Sequence, residues 1–281
     1  MIVEHARLAG PIESCFDDAY KSAFASAARQ FAEHFRDRGW TRTDAQCYLN
    51  DKHFYRDPAQ GGRGTSWWCL DEPMCTDDFL ALHFFGTLFH DAVATVPGPR
   101  MIFRGDISRP QWQRDFLDGL TGIECVADAF WPYHDRCLDM QRRWGVKFWD
   151  YGSPNRVGAS SLAEVSWSLR AYLAGADGVL PWNVIGGDDA YTTPTDTALL
   201  VPGERFGIKG PVVSLRAKAF RRGQEDVELL IGLAKRRGWN RTQLAAALGD
   251  LLPAWSSSSW DLKPTGLTRL RLSLYHALDH P

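Results

Sequence analysis

The sequence predicts an α/β fold, a sheet of parallel apolar strands covered by helices, and three observations carry that expectation. Strand-sized apolar runs alternate with helix-length amphipathic runs along most of the chain. The strand runs are apolar on both faces, as they are when helices cover both sides of a sheet. Their C-terminal ends finish in carboxylates, aromatics or an amide, and chemistry in such folds gathers at those ends.

Taken in order, the first element is a helix over DDAYKSAFASAARQFAEHFRDRGW, with Tyr20, Phe24, Ala27, Phe31 and Phe35 on one apolar face and Gly39 as its stop. AQCYLND (45–51) reads as a short strand, and DPAQGGRGTS as a glycine-rich loop. WWCLDEP follows as a second strand. Thr76 is placed to cap the next helix, with Asp77 and Asp78 in its first turn. RMIFRGDIS (100–108) reads as a strand and RPQWQRDFLDGL as a helix with an early proline. ECVADAFW (124–131) is a strand, HDRCLDMQRRWG a helix ending at Gly145, VKFWDYG (146–152) a strand, and SSLAEVSWSLRAYLAG a helix. GVLPWNVIGG (178–187) is the last strand. After a loop rich in threonine, proline and glycine, the remainder is helical. That makes six strands, whereas a closed (β/α)8 barrel needs eight. The expectation is therefore a TIM-type barrel incomplete at its N-terminus over 1–235, with a helical extension packed on it over 236–281.

The 281 residues, 44% of them hydrophobic, suffice for a large core. A formal net charge of -2 with acids and bases interspersed removes the electrostatic footprint of a nucleic-acid binder. No apolar run is long enough to span a membrane. The first residues carry acids and no apolar signal core, so a cytoplasmic location is expected for the chain as written. The six cysteines form no CxxC, and no histidine completes a zinc spacing, so buried thiols are expected and neither metal nor cofactor is implied. Twelve tryptophans mean a very aromatic core or flat surfaces on which a ligand stacks.

An acidic, aromatic rim suits a carbohydrate: rings for the C–H faces of a sugar, carboxylates for its hydroxyls and for catalysis. Within that rim the pair Asp71 and Glu72 is the sharpest feature. Successive residues of a regular strand point to opposite faces, so both acids lean over one opening only if the strand stops there. Pro73 biases Glu72 toward extended backbone and removes a ladder donor, which makes Asp71-Glu72-Pro73 a strand tip. Two neighbouring carboxylates split their titration, one staying ionised and the other held ready as an acid.

The Asp-Glu-Pro strand end, the aromatic strand end FWDY and the tail GDD…LLVPG…GIKGPVVSLRAKAFRRGQEDVELL resemble the catalytic domain of glycoside hydrolase family 123 and its bacterial relatives, over roughly residues 20–235. The resemblance implies a (β/α)8 barrel, and the activity of a retaining β-N-acetylgalactosaminidase that uses substrate-assisted catalysis without a cofactor. It implies that Glu72 protonates the departing glycosidic oxygen, and that Asp71 orients the 2-acetamido group whose carbonyl oxygen attacks the anomeric carbon. Adjacent acids fit that chemistry, because no enzyme nucleophile has to face the acid across the bond. The family's usual β-sandwich has no counterpart here. The open barrel edges would then be covered by a second copy of the chain or by a preceding domain.

Further candidates for the sugar site come from the other strand ends. Trp149 and Tyr151 share one strand face, either walling the site or packing in the core, with Asp150 on the other face. Trp182 and Asn183 close the last strand, and Asp128 and Trp131 end the third. Tyr48 and Asn50 point the same way from the first strand. Trp67 and Trp68, just before the acids, face opposite sides of the strand, one in the core and the other near the site, and Trp68 is the candidate. Asp106 either binds sugar or pairs with Arg104 across Gly105. The charged run RRGQEDVE (221–228) reads as structural, with Arg216, Arg221 and Arg222 pairing to Glu225, Asp226 and Glu228. Asn240-Arg241-Thr242 matches a glycosylation triplet by chance.

Overall fold

The structure, a computed structural model, describes residues 16–50, 68–127, 132–154, 156–193, 197–258 and 260–279. In chain order the elements are α1 (Asp18–Asp37), β1 (Asp44–Tyr48), α2 (Thr76–Val93), β2 (Arg100–Asp106), β3 (Ile123–Val126), α3 (His134–Trp144) and β4 (Lys147–Gly152). There follow α4 (Leu162–Ala174), β5 (Gly178–Pro181), β6 (Leu200–Pro202), β7 (Pro211–Val213), α5 (Leu215–Arg237), α6 (Arg241–Ala247) and α7 (Pro264–Asp279). Five strands form a parallel sheet in the order β1-β2-β3-β4-β5, and β6 and β7 form a separate antiparallel pair. The chain divides into two compact units, Met1–Phe148 and Trp149–Pro281. Among the described residues no helix is long and apolar enough to cross a membrane.

In the first unit, α2 covers the sheet. Phe79, Leu82, Phe85 and Phe89 are buried along it and meet Phe103 of β2, Ile107 and Leu117 in one core with Trp68 and Leu70. Gly86 lets the helix close on the strand, since a Cβ there would stand 3.1 Å from the Phe103 ring. α1 begins at Asp17, whose carboxylate accepts from the Tyr20 N–H at 2.8 Å. Its buried face differs from the expected one. Phe31 is 64% exposed and Ala27 is exposed, while Tyr20, Phe24 and Ala28 pack on the core beside buried Ala32. The stripe runs at a spacing of four, through alanines that let α1 lie close to α2.

Three predicted elements change. Residues 68–73 form no strand; the described part of WWCLDEP is a bent segment, so the described residues contain five parallel strands against the six expected. The predicted helix RPQWQRDFLDGL is a single 3-10 turn, Pro110–Trp112, followed by turns. Arg114 has φ 49 there, and Gln113 turns inward to donate to Glu124 Oε1 at 2.5 Å. The last strand stops at Pro181 instead of 187, and the loop after it contains the β6–β7 pair. A buried carboxylate thus outcompetes the helical ladder at Gln113. Glu124 and Gln113 are fully buried, Thr121 Oγ1 also donates to Glu124 Oε1 at 2.7 Å, and Glu124 Oε2 has no partner among the described residues. Burial pushes the Glu124 carboxyl up to about 7, against the pull of the Thr121 and Gln113 bonds.

The second unit is a helical cluster on β4–β5. Val165, Leu169 and Leu173 of α4 pack on Leu230 and Leu233 of α5, with Leu244, Leu267, Leu270 and Leu274 from α6 and α7. The glycine of RRGQED sits at the α4–α5 crossing: a Cβ on Gly223 would meet Ser168 Oγ at 2.8 Å and Val165 Cα at 3.1 Å. Its neighbour Asp226 is fully buried, and Arg271 of α7 grips it with bonds of 2.8 and 2.7 Å. The structural reading of the run therefore holds, with a partner the local sequence did not name. Arg221 and Arg222 do pair with Glu225. Asn240 is the N-cap of α6, in a reciprocal box with Gln243 at 2.9 Å in each direction.

Two stability outcomes follow from this packing. Gly223→Ala is expected to lose about 1–3 kcal/mol by forcing α4 and α5 apart, seen as a lower urea midpoint; an unchanged midpoint would mean the crossing has slack. Glu124 has a folded value above its ordinary 4.5, so its contribution is complete below about 4.5 and is lost as pH rises through about 7. Stability measured by denaturant titration should fall by a few kcal/mol across that window, and the fall should be absent in Glu124→Gln.

Candidate active site

The sequence-predicted acids sit in a loop built by one buried side chain. Asp78, in the first turn of α2, accepts backbone N–H bonds from Cys69 at 2.9 Å, Met74 at 2.8 Å and Cys75 at 3.2 Å. Cys75, not Thr76, is the N-cap of that helix. Inside the loop Cys69 Sγ lies 3.0 Å from the Asp71 carbonyl and 3.3 Å from that of Glu72. The chain turns at Glu72, which has φ 64, a left-handed conformation rare outside glycine and asparagine. That corrects the extended backbone expected before Pro73. The turn is held because the Glu72 N–H donates to the Asp106 carbonyl at 2.9 Å, at the C-terminal end of β2.

Each acid then meets a hydroxyl from a different strand end. Glu72 Oε1 accepts from Ser108 Oγ at 2.7 Å, and the residue is half-buried. Asp71, 4% exposed, accepts from the Tyr48 hydroxyl at the end of β1. The Tyr48 phenol is pushed far above its ordinary range, first by burial, then by that bond and by the charges of Asp106 and Asp71, so it stays a donor.

Register explains what surrounds them. Tyr48 pairs with Arg104, and Asp106 with Cys125; partners in a parallel ladder share a face. Arg104 lies over the Tyr48 ring, 4.6 Å from its centroid. It also grips Asp106 with two bonds, Nε to Oδ1 at 2.8 Å and Nη2 to Oδ2 at 2.9 Å. Cys125 completes the row as a thiol pushed well up, by burial first and then by Asp106. Asp106 is thus the ion-pair partner of Arg104, the pairing that the sequence offered beside sugar binding. Glu124, one residue from Cys125, points to the opposite face.

Other predicted residues separate. Trp68 is a correction: at 8% exposed it packs near Phe16, ring centroids 6.2 Å apart, and belongs to the core. Asn50 follows β1 and is exposed. Asp128 and Trp131 lie outside the described residues. The five described cysteines are thiols. No group of three His, Cys, Asp or Glu among the described residues is placed to hold a metal ion.

In the second unit the β4 alternation holds. Asp150 is buried and accepts from Trp167 Nε1 of α4 at 2.5 Å, while Trp149 and Tyr151 occupy the other face, half-buried. A Cβ at Gly178 would stand 2.9 Å from the Trp149 ring, so glycine leaves room for that indole to lie across β5. Tyr151 and Trp182 meet edge to face at 6.2 Å, and Trp182 is 55% exposed. Asn183, exposed, has φ 63.

Sequence reasoning missed Ser108 and the Asp78 clamp. Ser108 stands two residues past Asp106, where a strand-end hydroxyl beside an acid could have signalled it. Asp78 was read only as a first-turn charge.

No protein-family model matches the chain, and no curated protein matches it. Among solved structures it is similar to a family 123 glycoside hydrolase from Clostridium perfringens, at a TM-score of 0.55 and 13% identity. The match covers 93% of this chain and 44% of that one, so the chain spans less than half the length of that neighbour. The family resemblance read in the sequence therefore holds at the level of the fold.

Proposed function

We propose that this chain is a glycoside hydrolase, with a β-linked 2-acetamido sugar as its substrate and a retaining, substrate-assisted reaction. One observation carries the reading: Asp71 and Glu72 reach the C-terminal ends of β1 and β2, each engaged by a hydroxyl there, Tyr48 and Ser108. A fold similar to that of a glycoside hydrolase, described for glycolipid glycan hydrolysis, supports a glycan as substrate.

In this reaction Glu72 gives its proton to the glycosidic oxygen as the bond to the anomeric carbon breaks. The substrate's own acetamido oxygen forms the new bond to that carbon, giving an oxazolinium ion. Asp71, facing the Tyr48 hydroxyl, orients the acetamido N–H and balances its growing positive charge. Glu72, now a carboxylate, takes a proton from water, whose oxygen opens the ring and restores the original configuration.

A second reading, a carbohydrate-binding or structural remnant without catalysis, is favoured by the burial of Asp71 at 4% exposure. Hydrolysis of chromogenic β-N-acetylgalactosaminide and β-N-acetylglucosaminide separates the two. Turnover is expected from the wild-type chain and a loss of about 10²–10⁴-fold in Glu72→Gln. Folded protein that turns over neither substrate, yet binds the free sugars, would favour the remnant.

A further inference from the structure

We propose that Ser108 is the positioning residue of Glu72, holding its carboxylate in one direction and stabilising the charge that appears on it when its proton leaves; the catalytic part of this rests on the function proposed above. The Glu72 side chain has three rotatable bonds and stands on a left-handed turn, so the backbone alone leaves its carboxylate undirected. The 106–108 segment grips it twice. Asp106 takes the main-chain N–H at 2.9 Å, and Ser108 Oγ donates to Oε1 at 2.7 Å. Two contacts from one short segment fix both where the residue starts and where its side chain ends.

The segment that grips Glu72 is itself rigid. Ile107 donates its N–H to the Cys125 carbonyl at 2.7 Å, which carries the β2–β3 ladder one residue past the strand. The Ile107 side chain is fully buried, and Asp106 is locked by Arg104. Ser108 is thus a half-buried hydroxyl on the anchored end of a strand, where a short donor keeps its aim. Tyr48 plays the parallel part for Asp71 from the neighbouring strand. Two acids adjacent in sequence therefore have separate donors.

The chemical consequence has a sign. A hydroxyl donating to a carboxylate favours its ionised form, so removing it makes the acid keep its proton to higher pH. It also withdraws a bond that strengthens as the proton passes to the glycosidic oxygen, so the loss falls on the chemical step more than on substrate binding.

The test compares wild type, Ser108→Ala and Ser108→Thr in hydrolysis of the two chromogenic substrates. In parallel, the Glu72 carboxyl is titrated by carbon-13 NMR, which needs no activity. In Ser108→Ala the alkaline limb of kcat/KM is expected to move to higher pH, kcat to fall about tenfold or more with KM little changed, and the NMR midpoint to move the same way. Ser108→Thr should restore all three. If Ser108→Ala does not fold, Ser108→Cys, a weaker donor of similar size, must shift the midpoint in the same direction. An NMR midpoint unchanged on loss of the hydroxyl overturns the proposal. A midpoint that moves in a chain that hydrolyses neither substrate keeps the positioning contact and removes the proposed activity instead.

Discussion

The Asp78 carboxylate is the contact on which the acidic loop depends. Buried at the start of α2, it takes three backbone N–H groups from residues 69–75 and ties both ends of the loop to one helix terminus. A carboxylate suits this place twice over, as an acceptor with several lone pairs and as a negative charge at the positive end of a helix. Without it the buried Cys69 N–H would lose its partner, at a cost of about 1–3 kcal/mol. Everything distinctive about Asp71 and Glu72 is downstream of that closure. Once the loop is tied, the turn at Glu72 and its bond to the Asp106 carbonyl join it to the end of β2.

The parts of this arrangement legible in the sequence are those set by local chemistry. Gly145 and Gly175 end their helices in left-handed conformations, as glycine there predicts. Asp150 and its aromatic neighbours alternate as a strand must. The pattern failed where tertiary contacts outvoted local preference. The run from Arg109 has helical spacing, but Gln113 is drawn to a buried carboxylate eleven residues on, and Arg114 leaves helical space. WWCL looks like a strand because it is apolar, yet its backbone at Cys69 is claimed by Asp78 rather than by a neighbouring strand. At Phe31 the error was one of size. A phenylalanine was assigned to the core face that the smaller Ala28 and Ala32 occupy.

The candidate site was legible in type more than in partnership. A sequence shows two adjacent acids before a proline but not which donors meet them, because Ser108 and Tyr48 are brought in by β2 and β1. The same limit appears in RRGQEDVE. Its glycine and acid look like surface punctuation, whereas Gly223 sits where α4 and α5 touch and Asp226 receives an arginine from 45 positions away. Such residues are fixed by long-range geometry, which no local pattern encodes.

A glutamate, not a glycine, stands at the left-handed turn at 72. A glycine would adopt φ 64 without strain, whereas glutamate pays roughly 1–2 kcal/mol for it. A strained non-glycine residue persists only where its surroundings over-determine it, and here the N–H is held by Asp106 and the carboxylate by Ser108. The strain also has a geometric return. In an extended strand Asp71 and Glu72 would point to opposite faces of the sheet. The turn at Glu72 breaks that alternation and lets two consecutive side chains reach the ends of two neighbouring strands. Adjacent acids therefore become a usable pair only because the chain leaves the strand at the second of them.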